Sequence, residues 1–176
     1  MNAKPTIAIL GGTGDLGSGL AKCWLAAGYK IILGSRVAEK AKNVADAMTG
    51  AVAGDDNVGA AKAADIVVVA VPFASHDATL REVKDAVQGK IVVDAAVPLV
   101  PPKVSVVQLP AAGSAAQIAQ DLLGPGVRVV SAFHHVGATK LHQGSRADCD
   151  VLVFGDDKAA REPTSTAPRQ CLFSRS

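Results

Sequence analysis

A chain of 176 residues with 49% hydrophobic and 19% charged residues can pack one domain, or one domain with a stub. Its net charge is only +2 with acids and bases interspersed, which argues against a basic nucleic-acid face, and no run of about eighteen apolar residues marks a membrane span. The start, Met1-Asn2-Ala3-Lys4-Pro5, has no secretory pattern, and the odd cysteine set, Cys23, Cys149 and Cys171, has no metal-ligand spacing, so the expectation is a cytoplasmic chain without a bound metal.

Aromatic residues are 3% of the chain, so the core must come from Val, Ile, Leu and Ala. Strands are expected at Thr6–Leu10, Ile31–Gly34, Ile66–Val71, Ile91–Asp94, Val127–Ser131 and Val151–Phe154, with a further short one at Ala51–Ala53. Helices are expected at Leu16–Ala27, Val37–Met48, Asn57–Ala63, Ala78–Val87 and Ser114–Leu123, with Gly28, Gly50 and Gly124 as stop signals. Cys23, on the first helix, reads as core packing. Val and Ile runs without polar alternation suit strands buried on both faces, hence a mostly parallel sheet. The alternation of strands and helices predicts an α/β, doubly wound Rossmann-type domain.

The first strand runs into Gly11-Gly12-Thr13-Gly14-Asp15-Leu16-Gly17, and Leu16, Leu20, Trp24 and Leu25 follow at helical spacing. That context makes the turn a pyrophosphate site rather than an empty glycine turn. Gly12 permits the tight turn, Gly14 lets backbone approach phosphate, and Gly17 lets helix and strand pack closely. The helix N-terminus adds a dipole that favours an anion.

About twenty residues on, Ile31-Ile32-Leu33-Gly34 ends in Ser35-Arg36, where a dinucleotide fold inspects the adenosine ribose. A carboxylate there would accept from a 2′-hydroxyl and repel a 2′-phosphate. Arg36 can pair with that phosphate and Ser35 can donate to it, so the position points to NADP(H). Lys40, one helical turn beyond Arg36, can reach the same group, although taken alone it reads as a solvated charge.

Two more strand ends fall on the ligand side of such a sheet. Val71-Pro72-Phe73 closes one and Asp94-Ala95-Ala96-Val97-Pro98 the next, placing Val71, Pro72, Phe73, Ala96 and Val97 at the nicotinamide end of the cleft. Pro72 and Pro98 fix loop geometry there and also end their strands. Ser131-Ala132-Phe133-His134-His135-Val136-Gly137-Ala138 follows another strand. Adjacent side chains in extended backbone point apart, so one of the two histidines faces the cleft.

Gly11, Gly14 and Gly17 also satisfy the Gly-x-x-Gly-x-x-Gly spacing of short-chain dehydrogenases. Those enzymes need Tyr-x-x-x-Lys as proton donor. The one tyrosine, Tyr29, is followed four residues on by Leu33, which excludes them.

The ordered set of these pieces resembles the NADPH-dependent reductases of coenzyme F420, an 8-hydroxy-5-deazaflavin. The set comprises Ile9–Gly17, Leu33-Gly34-Ser35-Arg36 with Lys40, Val71-Pro72-Phe73, Lys90–Asp94, Ser114-Ala115-Ala116, Ser131–His134 and Gly155-Asp156-Asp157, and spans roughly Lys4 to Glu162. The resemblance implies hydride transfer between nicotinamide C4 and deazaflavin C5, with NADP(H) as cofactor and F420 as co-substrate. It implies that Gly12, Thr13, Gly14, Asp15, Leu16 and Gly17 form the pyrophosphate turn, Thr13 and Leu16 acting through backbone. Ser35, Arg36 and Lys40 match the 2′-phosphate site, and Val71, Pro72 and Phe73 pack near nicotinamide. His134, with the backbone of Val136 and Ala138, matches the deazaflavin wall. Both reactive atoms belong to the ligands, so no acid or base is indispensable and His134 orients.

Family members continue past Gly-Asp-Asp into apolar helices. Here Ala159–Glu162 starts such a helix and Pro163 interrupts it, and Thr164–Ser176 shows no apolar stripe. The expectation is an NADP-binding domain over residues 1–162 carrying the deazaflavin segment, with 163–176 as a disordered tail produced by truncation or a frame change near Glu162. A small-molecule enzyme of this kind is expected to form a homodimer. Two other readings remain open: an NADPH-dependent reductase of a small imine or carbonyl compound, and a non-catalytic NADPH sensor.

Overall fold

The strands stack side by side in the order β3-β2-β1-β4-β5-β6-β7 in the computed structural model, which describes residues 4–102, 106–142 and 150–169. They are β1 (Ile7–Leu10), β2 (Ile31–Ser35), β3 (Val52–Asp56), β4 (Ile66–Val69), β5 (Ile91–Asp94), β6 (Arg128–Ala132) and β7 (Val153–Phe154). Every pairing is parallel except β6 with β7. The doubly wound expectation is met, and the short strand expected at Ala51–Ala53 is a full edge strand. From β1 the chain moves first to β2 on one side and later to β4 on the other, so the crevice of the switch point opens where β1 and β4 end.

Alternation along the strands builds two cores. Ile7, Ile9, Ile31, Leu33, Ile66, Val68, Ile91 and Val93 face one way and pack with Leu20, Trp24, Ala41, Ala45, Phe133, Leu141 and Ala160. Ala8, Leu10, Val67, Val69 and Val92 face the other way and pack with Ala60, Ala61, Leu80, Val83, Ala119 and Leu123. The first face is therefore covered by α1 (Asp15–Ala26), α2 (Ala38–Asp46), α6 (Ala138–His142) and α7 (Lys158–Arg169). The second is covered by α3 (Asn57–Ala63), α4 (Phe73–Val83) and α5 (Ala115–Leu123). Lys90 closes α3 by donating to the Ala61 and Lys62 carbonyls at 2.7 and 2.8 Å, and burial pulls its pKa below the ordinary lysine range.

Several element ends shift by one to three residues, and four departures from expectation matter more. β4 stops at Val69, so Val71 and Pro72 lie beyond the strand. α4 begins at Phe73, with Pro72 as its N-cap, and not at Ala78; its last turn tightens into a 3-10 segment over Lys84–Val87. Its inward face is His76, Thr79, Leu80 and Val83, and two polar members of that stripe hide the helical period. The five-residue α6 lies outside the expected helices, because only Leu141 is buried and one apolar residue has no period. α7 runs through Pro163, where a stop is expected.

The helix survives that proline because both of its flanks are held. Asp157 Oδ1 accepts from the Ala159 and Ala160 N–H groups at 2.8 and 3.2 Å, which caps the start. Thr164, Ser165 and Thr166 bond their hydroxyls back to the Ala160, Arg161 and Glu162 carbonyls at 3.1, 2.9 and 2.9 Å. Ala160 and Thr164 are buried and Pro163 is half-buried, so small residues make the contact that no apolar stripe announces. The described part of the expected tail is thus helical, and residues 170–176, with Cys171, lie outside the described residues, as does Cys149.

The pairing of α2 with β3 depends on Gly54. A Cβ there would lie 2.3 Å from the Ala41 carbonyl carbon and the Lys42 nitrogen, both backbone atoms that cannot swing aside. Gly54→Ala is expected to lower stability by about 1–3 kcal/mol. In urea unfolding this appears as a lower midpoint with an unchanged slope.

Candidate active site

The glycine turn sits at the switch point. Gly11, at φ 78°, presses against the end of β4: a Cβ would meet the Ala70 carbonyl oxygen at 2.7 Å and a Val71 methyl at 3.0 Å. The Gly12 N–H donates to Ile9 O at 3.0 Å and to Gly34 O at 3.1 Å, tying the turn to the end of β2. Gly17 packs on the turn itself, where a Cβ would stand 2.5 Å from Gly11 O. Gly14 is exposed, and a Cβ on it would have only Gly11 O nearby, at 3.3 Å, so the backbone here is open to an approaching ligand.

Gly14 is also the N-cap of α1 and offers no side chain to it. The first-turn N–H groups of Asp15, Leu16 and Gly17 have no acceptor within the helix, so this end presents donors and a positive dipole to whatever lies above it. The Asp15 carboxylate is exposed, and its carbonyl accepts from His142 Nε2 at 2.8 Å. α6 therefore lies across the start of α1, with Leu141 against Gly19, a contact that no sequence period indicates. Thr13 is half-buried in the turn.

Ser35 ends β2 and is buried, and its Oγ accepts from the Val37 N–H at 3.4 Å. Arg36 and Lys40 are exposed beside it, and neither makes an ion pair among the described residues. The spacing read from sequence is thus realised as a hydroxyl and two available cations at one strand end.

Beyond β5 and β6 a cavity of about 220 Å³ opens, with Ala96, Val97, Pro98, Ser114, Ser131 and His134 in its wall. Three of the expected residues, Ala96, Val97 and His134, meet there. Val71, Pro72 and Phe73 stand at the β4 end, against the glycine turn. Val136 is buried in the core, with its N–H bonded to Phe133 O at 3.1 Å, and Ala138 opens α6; neither is in the cavity wall. Ser114 and Ser131 are wall residues that the sequence does not single out as site residues. Ser114 is also the N-cap of α5, accepting from the Gln117 N–H at 3.1 Å.

Phe133 aims His134. It is buried with φ 72°, a left-handed backbone rare for an aromatic residue, and its ring meets Trp24 edge-on at 5.7 Å. The sharp turn leaves His134 half-buried, sharing a 3.0 Å hydrogen bond between Nε2 and Ser131 Oγ. His135 points outward and bonds the Asp150 carbonyl. His134 therefore lines the cavity and His135 does not, an arrangement set by the turn after β6 and not by the alternation of an extended strand. Burial pushes the His134 imidazole below its ordinary pKa, Asp94 opposes that shift, and His135 reinforces it, so His134 is neutral at pH 7.

The strongest feature missed in the sequence is a buried ion pair. His76 and Asp94 are both fully enclosed, and His76 Nε2 donates to Asp94 Oδ2 at 3.1 Å. The second oxygen, Asp94 Oδ1, accepts from the Ala96 N–H at 3.0 Å. Burial disfavours the imidazolium, but the hydrogen bond and charge of Asp94, helped by Asp77, outweigh it and raise the His76 pKa. The available signal is the carboxylate ending a strand otherwise made of Ile and Val.

A raised histidine pKa means that the folded state holds the proton more tightly than the unfolded chain. The stability it contributes is complete below the ordinary imidazole value of about 6.5 and is lost as pH rises through the raised value. Urea midpoints are expected to fall over the interval between those two values. His76→Gln, which has nothing to titrate, should show a smaller fall, and equal falls in both proteins would contradict this pairing.

The comparisons agree with this geometry. The family model described as "NADP oxidoreductase coenzyme F420-dependent" matches residues 6–98. The F420-dependent NADP reductase of Methanothermobacter thermautotrophicus is 38% identical over 168 residues, which cover 89% of this chain and 72% of that protein. The one from Methanocaldococcus jannaschii is 38% identical over 169 residues, covering 89% and 75%. A crystal structure of a hypothetical protein from Sinorhizobium meliloti superimposes with a TM-score of 0.79 at 26% identity, over 98% of this chain and 83% of that one. With its switch-point turn, its phosphate-ready strand end and these matches, the chain belongs to the F420-dependent NADP oxidoreductase family.

Proposed function

We propose that this chain is an oxidoreductase that moves a hydride between NADPH and the deazaflavin coenzyme F420. The observation that carries the reading is the likeness, over nine tenths of the chain, to proteins named F420-dependent NADP reductase. The site residues fit both ligands. The uncapped start of α1 and the exposed Gly14 suit a pyrophosphate, and Arg36 and Lys40, without ion pairs among the described residues, suit a 2′-phosphate.

With both ligands bound, the nicotinamide would supply a hydride from C4 to deazaflavin C5, and a ring nitrogen of the deazaflavin would take the balancing proton from solvent. The protein supplies position. Backbone of Gly12, Thr13, Gly14 and the Asp15–Gly17 turn holds the pyrophosphate, and Ser35, Arg36 and Lys40 hold the ribose phosphate. Val71, Pro72 and Phe73 seat the nicotinamide. Ala96, Val97 and neutral His134 wall the cavity on the deazaflavin side, with Val136 and Ala138 supporting that wall from the segment behind it. No side chain must give or take a proton in the hydride step, so stacking and water exclusion account for the rate.

The NADP-binding unit expected over residues 1–162 extends through α7 to Arg169, and a homodimer in the cytoplasm accompanies this reading as the default for a soluble reductase. Among the described residues, no helix is long and apolar enough to cross a membrane.

The test is F420 reduction followed by absorbance, with NADPH and NADH as parallel donors. Turnover with NADPH and little with NADH is expected; NADPH binding without turnover would favour a sensor. Arg36→Asp should raise KM for NADPH by about tenfold or more, because a charge-assisted bond is replaced by repulsion, while KM for NADH stays flat or falls. An unchanged KM for NADPH would remove Arg36 from the 2′-phosphate site.

A further inference from the structure

The Val71–Phe73 and Ala95–Pro98 segments lie at neighbouring strand ends, and one buried contact joins them. His76 sits one turn into α4, and the Phe73 ring stacks on its imidazole at 5.9 Å and 27°. On its other side His76 donates to Asp94, whose second oxygen holds the Ala96 N–H. Ala96, Val97 and Pro98 then form the cavity wall. A change at His76 is therefore passed in one step to Phe73 and in two to the wall.

We propose that His76 is a positioning residue for hydride transfer, its buried ring clasping Asp94 so that the seat of one ring and the wall behind the other keep a fixed separation. The proposal rests on the functional reading above. Hydride transfer is steep in distance, and a misplacement on the order of 1 Å can cost about a hundredfold in rate. Both partners are wholly buried, so salt screens the contact far less than it would a surface pair. The charged or titratable groups facing the pair, among the described residues, are Asp77, 3.5 Å from His76 Nδ1, and His134, which feels the Asp94 charge from β6. Asp77 is exposed and favours the imidazolium, and neutral His134 does not compete for Asp94.

The experiment is single-turnover F420 reduction by NADPH, protio or deuterated at the transferred position, across about pH 6 to pH 9. Wild type, His76→Gln and His76→Leu are compared. His76→Leu is expected to slow the isotope-sensitive step by about tenfold to a hundredfold, with KM for NADPH moving less than about threefold. His76→Gln keeps a donor for Asp94 and should recover much of that rate. The ratio of wild-type to His76→Gln rate should fall towards one as pH rises and the imidazolium is lost, a comparison that divides out any proton taken up by the acceptor.

A ratio flat with pH, or a loss carried by KM with the isotope-sensitive step unchanged, would overturn the proposal. If His76→Leu fails to fold, the pH-dependent ratio from His76→Gln decides alone. If wild type transfers no hydride, the functional reading fails. Hydrogen exchange then judges the clasp separately: at about pH 6 the Ala96 amide should be several-fold better protected in wild type than in His76→Gln, the gap closing as pH rises, and equal protection at about pH 6 would sink it.

Discussion

Helix α1 rests on the Gly11–Gly12 turn closer than any side chain permits, since a Cβ on Gly17 would stand 2.5 Å from the Gly11 oxygen. Much else depends on that approach. It sets the uncapped helix end directly over the turn, where its first-turn N–H groups converge with the ends of β1 and β2. It lets Leu20 and Trp24 reach the core face shared with Ile7, Ile9 and Phe133. A methyl group at Gly17 would lift the helix, disperse the donors and loosen the packing together, so the open helix end and core formation draw on one piece of geometry.

The same economy appears across the switch point. Gly11 allows the β1 turn to press on the Ala70 carbonyl, which brings the phosphate end and the Val71–Phe73 seat into contact. The buried pair of His76 and Asp94 then links that seat to the cavity wall. An ion pair so enclosed is a weak source of net stability, because desolvation cancels much of the attraction. Its firmness is geometric: two hydrogen bonds to one carboxylate tie the first turn of α4 to the irregular segment that follows β5.

Most of the architecture was legible because the strands are Val and Ile runs and the glycine turn follows one of them. Ser35, Arg36 and the single inward histidine could be read for the same reason, since they sit at fixed offsets from strand ends. Legibility failed where polar or small residues carried the packing. His76 and Thr79 broke the apolar stripe of α4, so its first turn was missed and with it the partner of Asp94. Ala160, Pro163 and Thr164 dock α7 through small surfaces, and a proline there reads as a stop. The resemblance implies a wall role for the backbone of Val136, whose side chain, three residues past the left-handed Phe133, is buried in the core. Pairings across the fold, such as His142 with Asp15, leave no trace in local spacing.

The backbone at Phe133 has a consequence for how this protein can change. A left-handed aromatic residue is held against its own preference, and here the edge of Trp24 helps to hold it. Trp24 touches no part of the cavity wall, yet the direction of His134 depends on the ring it supports. Substitution in the hydrophobic interior of α1 would therefore lower stability and re-aim His134 at the same time. A lineage drifting in its core would be testing new substrates without changing a residue that touches them.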